Sequence, residues 1–130
     1  MKSLTSKVLL TCVLLVFVFT VVASAHTRID EVWTCTIKDG KTMEQYRAHA
    51  LKWVRYLNEN VEGGDIHSYV ATSVVGAQGA FVSIDSFPSM ESWTAHKVLL
   101  QSGEGLALDS AFEEVSTCTS NSLHSVSEVE

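Results

Sequence analysis

The sequence predicts an α+β domain in which a four-stranded antiparallel sheet carries its helices on one face. Two observations carry that prediction. Segments rich in β-branched and aromatic residues alternate with segments of helical spacing, in the order strand, helix, strand, strand, helix, short helix, strand. The strand-then-helix plan of Glu31–Leu57 also returns in Gly79–Leu100, so the chain is built from two similar units joined by a hairpin.

Residues 1–25 stand outside this domain. Lys2 and Lys7 give a positive start, Val8–Val22 is almost wholly apolar, and Ala23-Ser24-Ala25 supplies the small residues of a cleavage site. This is the order of a secretory signal, with cleavage expected between Ala25 and His26. The alternative is a retained anchor, for which the apolar run is near the lower limit of roughly 18 residues. The expected domain is then 26–130, exported to a periplasmic or extracellular space, with no membrane span left after cleavage.

Taken in order, His26–Glu31 reads as a polar leader and Val32–Ile37 as the first strand, closed by Lys38-Asp39-Gly40. Thr42 followed by Gln45 fits a capping box. Met43, Tyr46, Ala50, Trp53, Val54 and Leu57 then recur at helical spacing, until Asn58, Asn60 and Gly63-Gly64 end the helix. Asp65–Gly76 reads as the second strand. A tight connection through Gly79 leads into the third, Ala80–Phe87, so the two pair as a hairpin. Pro88 sits near the start of the second helix, with Ser86 or Ser89 as its cap. That helix is expected to reach about Gln101 and to be broken by Gly103 and Gly105. Leu106, Leu108, Ala111, Phe112 and Val115 suggest a further short helix, and Ser116–Val126 a last strand.

The order β-α-β-β-α-β is that of the ferredoxin-like, or split βαβ, arrangement. Right-handed crossovers put the first and third strands at the centre of the sheet. The fourth then lies antiparallel beside the first. Cys35 and Cys118 fall mid-strand on these two neighbours, and Cys12 leaves with the signal. Export and topology together predict a Cys35–Cys118 disulfide. Closing so long a loop contributes at most roughly 4–5 kcal/mol in the chain-entropy model. Several strands carry apolar residues on both faces, such as Val32 against Trp33 and Ile37, or Val82 and Ile84 against Phe81 and Phe87. Strands of that kind are usually covered twice. A homodimer through the open sheet face is the simplest cover.

Within this pattern the segment Phe81–Leu100, FVSIDSFPSMESWTAHKVLL, resembles the antibiotic-biosynthesis-monooxygenase-type domains of the dimeric α+β barrel proteins. The matching positions are Phe81, Trp93 and His96. The resemblance implies a dimeric α+β barrel, and it allows a cofactor-independent monooxygenase- or isomerase-like activity using His96.

Read for chemistry, the second helix places His96 inside an apolar arc with Met90, Trp93, Leu99 and Leu100. His96, Trp93 and His49 are the candidate catalytic residues, because histidine titrates near neutral pH. The alternative for each histidine is simple packing with a satisfied ring. Tyr46, Trp53, His67, Tyr69 and Asp85 are candidate ligand contacts, for a cavity between helices and sheet that would suit a small apolar or aromatic molecule. Asp85 shares a strand face with Phe81 and Phe87, so it needs a partner if that face is inward. Fifteen acidic residues against nine Lys and Arg give a net charge of −6, which disfavours nucleic acid as a partner. No H-x-x-x-H, HExxH, CxxC, phosphate loop or G-x-S-x-G occurs, so no metal and no cofactor are expected. The expected function is binding of a small molecule. An enzyme built on His96 and an interaction protein with a filled core are the alternatives.

Overall fold

A computed structural model describes residues 26–76 and 78–129. The expected secretory signal, residues 1–25, lies outside the described residues. The element order is β1 (Arg28–Ile37), α1 (Met43–Asn60), β2 (His67–Thr72), β3 (Ala80–Phe87), α2 (Met90–Leu99), α3 (Gly103–Val115) and β4 (Ser116–Val126). The strands form one sheet in the order β2-β3-β1-β4, with every neighbouring pair antiparallel. This is the ferredoxin-like α+β architecture that the sequence predicts, and all three helices pack on one face.

The helix starts follow the chemistry of their caps. Thr42 accepts from the Gln45 amide while the Gln45 side chain accepts from the Thr42 amide, which completes the expected capping box. Ser89, not Ser86, caps α2 by accepting from the Ser92 amide.

Four elements differ from expectation in their bounds, β2 at both ends. β1 starts at Arg28, because Ile29 and Glu31 continue its inward alternation and belong to the strand instead of a leader. β2 ends at Thr72, and Val74 and Val75 beyond it are 92% and 91% exposed, with nothing to pack against. α2 stops at Leu99 instead of Gln101. α3 begins at Gly103, whose positive φ of 66° marks the break after α2 as expected, whereas Gly105 does not break a helix. Gly105 lies inside α3, where an added Cβ would stand 2.2 Å from the Leu99 carbonyl oxygen. Only a glycine lets the two helices join so closely.

The inward faces of the two central strands decide where the core is and where it is interrupted. They read Ile29-Glu31-Trp33-Cys35 along β1 and Phe87-Asp85-Ser83-Phe81 opposite it along β3. The outer pairs close two apolar clusters. Ile29 and Phe87 pack with Trp53, Leu57, Val61 and Ile66. Cys35 and Phe81 pack with Tyr46 and Ala50. The inner pairs, Glu31 with Asp85 and Trp33 with Ser83, are mostly polar and separate the two clusters. Cys35 and Cys118 are aligned partners on β1 and β4 and form a disulfide. Among the described residues, no helix is long and apolar enough to cross a membrane.

Candidate functional site

A cavity of about 500 Å³ opens between the helices and this polar middle of the sheet. Its floor is Glu31 and Trp33 of β1 with Ser83 and Asp85 of β3. Its walls are Tyr46 and Trp53 of α1, His96 and Lys97 of α2 and Phe112 of α3, while Asp109, Glu113, Lys38 and the start of β4 complete the lining. The volume lies in the range of roughly 300–1,000 Å³ usual for small-molecule sites. The aromatic walls brace one another. Tyr46 lies 5.3 Å and Trp53 6.3 Å from Phe112, measured between ring centres.

Glu31 is the most heavily bonded group of the site. It is 4% exposed, and its carboxylate accepts from Lys97 Nζ at 2.7 and 2.9 Å, from Trp93 Nε1 at 3.0 Å and from Asn121 Nδ2 at 2.8 Å. Burial alone would raise its pKa. The bonds from Lys97 and Asn121, the Lys97 charge and the Trp93 bond outweigh that and hold Glu31 below the usual range, as an anion. Lys97 also lies over the Trp93 ring, 5.2 Å from its centre.

Asp85 has a different environment. It accepts from Trp53 Nε1 at 3.0 Å and from Ser68 Oγ at 2.6 Å, both neutral donors. Burial pushes its carboxyl above the usual range. The Ser68 and Trp53 bonds and the Lys97 charge only partly offset this, and the Glu31 charge adds to it.

His96 is 2% exposed, with its ring stacked on Phe87 at 4.6 Å. Its Nδ1–H donates to the Trp93 carbonyl at 2.5 Å, which leaves Nε2 facing Glu31 Oε2 at 3.5 Å. Burial, with the Lys97 charge, lowers its pKa to about 4 against the pull of the Trp93 carbonyl and Glu31, so the ring is neutral at neutral pH.

The expected site residues divide into three groups. Tyr46, Trp53, Asp85 and His96 line the cavity together. Trp93 does not line it but donates from its indole to Glu31 of the floor. His49, His67 and Tyr69 do not line it. His49 Nε2 donates to the Leu108 carbonyl at 2.7 Å and the ring meets Phe112 edge-on at 4.4 Å, which ties α1 to α3. His67 pairs with Asp65 at 3.1 Å, and Tyr69 is 53% exposed on the edge strand, facing the other side of the sheet. Sequence reasoning passed over Glu31, Lys97, Ser83 and Phe112. The signal for Glu31 was present: it continues the period-two series Ile29, Trp33.

No family model matches the chain, and no curated relative matches it. Solved structures do. SnoaB, described as a cofactor-independent oxygenase from Streptomyces nogalater, superposes with a TM-score of 0.58 at 12% identity, covering 78% of this chain and 95% of SnoaB. A second structure of SnoaB gives 0.55 at 11% identity, with the same coverage. The shared fold is the ferredoxin-like α+β arrangement. At this identity the likeness speaks for the architecture and not for the reaction.

Proposed function

We propose that this domain binds a small aromatic or largely apolar molecule in the cavity between helices and sheet. One observation supports this above others: the inward face of the central strands is polar where a packed core would be apolar, and aromatic side chains stand around the opening instead of filling it. Few convergent polar groups within an aromatic enclosure is the usual make-up of a ligand site. Asp85, Ser83 and His96 are polar contacts for a ligand, and Tyr46, Trp53 and Phe112 apolar ones. Native mass spectrometry of the purified protein tests the reading. A one-to-one adduct is expected from the wild type and not from Ser83→Leu, which fills the cavity floor. Equal adducts in both would contradict it.

A second reading is a cofactor-independent oxygenase- or isomerase-like enzyme with His96 as base. It is favoured by the neutral His96 ring in the cavity wall, whose Nε2 carries no proton, and by the shared fold with SnoaB. Against it stands the lowered pKa of His96, since a general base works best with a pKa near the operating pH. If His96→Ala leaves turnover of every substrate tested unchanged while ligand binding persists, the enzyme reading fails.

Two further parts of the proposal concern setting. A homodimer is supported by the outer sheet face, where Val32, Ile84 and Tyr69 form one cross-strand row that no described element covers. A dimer mass by light scattering at micromolar concentration is expected, and a monomer mass would contradict it. Export is supported by the Cys35–Cys118 disulfide, which belongs to oxidising compartments.

A further inference from the structure

Resting on the cavity reading, we propose that the ligand is a small organic cation: an amine carrying an aromatic or apolar body, its charge placed at Asp85. Glu31 and Asp85 are aligned partners on adjacent strands, on the same inward face. Like charges in that relation repel. Lys97 neutralises only one of them, giving two of its three N–H bonds to Glu31. Among the described residues no lysine, arginine or histidine pairs with Asp85, whose bonded partners are the indole of Trp53 and the hydroxyl of Ser68.

The surroundings of Asp85 suit an ammonium group. The Trp53 indole bonded to Asp85 belongs to the aromatic wall, and the faces of such rings attract cations. At the mouth, α3 adds Asp109 and Glu113, while the Lys38 ammonium is turned to the Glu113 backbone carbonyl. Four carboxylates and two lysines therefore line one cavity. A cleft with a surplus of one sign concentrates the opposite charge. An anionic ligand would meet that surplus, and a neutral one would leave Asp85 without a counter-charge. The raised pKa of Asp85 is what a carboxyl lacking a counter-ion shows.

Isothermal titration of the full chain at neutral pH with three probes of similar size separates the alternatives: 2-phenylethylamine, 2-phenylethanol and phenylacetate. The ammonium probe is expected to bind about tenfold more tightly than the alcohol, the scale of one aromatic and carboxylate contact to a cation. Phenylacetate is expected to be weakest. Asp85→Asn should cut the amine's affinity about tenfold and close the gap to the alcohol. Asparagine keeps an acceptor for Trp53, and the Ser68 hydroxyl can turn to accept from the amide. Should that variant not fold, Asp109→Asn at the exposed mouth should still weaken the amine about twofold, as a partly screened charge would. Alcohol or phenylacetate binding as tightly as the amine, or an amine affinity unmoved by the folded variants, overturns the cationic assignment and leaves the cavity reading standing. Failure of all three probes to bind overturns both.

Discussion

Glu31 and Asp85 stand opposite each other across β1 and β3, two carboxylates in one cross-strand row on the inward face of a sheet. Among the described residues, only Glu31 has a cation bonded to it. The row interrupts the apolar core between its two clusters, and the cavity lies over it. A hydrophobic pair at these two positions would join the clusters into one continuous core, so the polar pair is a departure from what stability alone favours.

Lys97→Met should expose the strain of this arrangement. It removes the one cation that, among the described residues, is bonded to Glu31 and leaves both carboxylates uncompensated. The expected loss is about 2–3 kcal/mol, at or below the low end for breaking a buried pair because the Lys97 side chain remains a third exposed. Adding Glu31→Gln should recover part of it. Urea unfolding measures both, and a loss under about 0.5 kcal/mol for Lys97→Met would mean the pair is no better than a surface contact.

Stability should fall on mild acidification. The folded pKa of His96, about 4, lies below its ordinary 6.5, so the unfolded chain binds the proton more readily. Stability present above pH 6.5 is lost as pH falls towards 4, by at most about 3 kcal/mol at ~1.4 kcal/mol per unit. Glu31 adds to the loss below its ordinary 4.5, since its folded pKa is also lowered. Asp85 runs the other way, favouring the fold while protonated and losing that as pH rises through its raised value. Urea midpoints at pH 6.5 and 5 should differ in the wild type and much less in His96→Gln. The same slope in both would remove His96 as the cause.

Reduction should cost more than any single side chain. The Cys35–Cys118 bond spans 83 residues, for which loop entropy gives an upper value of about 4–5 kcal/mol. Without reductant neither cysteine should alkylate. After reduction both should, with a lower Tm. A reactive thiol at either position in the unreduced protein would contradict the bond.

Gly105→Ala should destabilise through its contact with the Leu99 carbonyl oxygen, 2.2 Å from the new Cβ. Overpacking of this kind costs about 1–3 kcal/mol. Thermal unfolding of Gly105→Ala would show it as a clear drop in Tm, and an unchanged Tm would mean that the α2–α3 junction is looser than it stands.

The fold was legible because periodicity and caps are local. Thr42 with Gln45, Ser89 after Pro88, and the alternation of Ala80–Phe87 each specify an element without reference to the rest of the chain. The site was legible only in part, because it depends on register. Asp85 could be placed on the face of Phe81 and Phe87, yet nothing local says that Glu31 is its cross-strand partner. Lys97 reads as the polar neighbour of His96, and only the packing of α2 over β1 brings it to Glu31. His67 and Tyr69 were misleading for the opposite reason. Their shared strand face is real, but it is the face turned away from the helices.

The chain's three tryptophans allow a direct test of the cavity as a binding site. Trp33 and Trp53 line it, whereas Trp93 does not and bonds to Glu31. In a two-dimensional ¹H–¹⁵N spectrum, titration with the neutral probe 2-phenylethanol should shift the indole N–H signals of Trp33 and Trp53 saturably, and that of Trp93 much less. Saturating probe that moves neither Trp33 nor Trp53 would contradict a ligand site between the helices and the sheet.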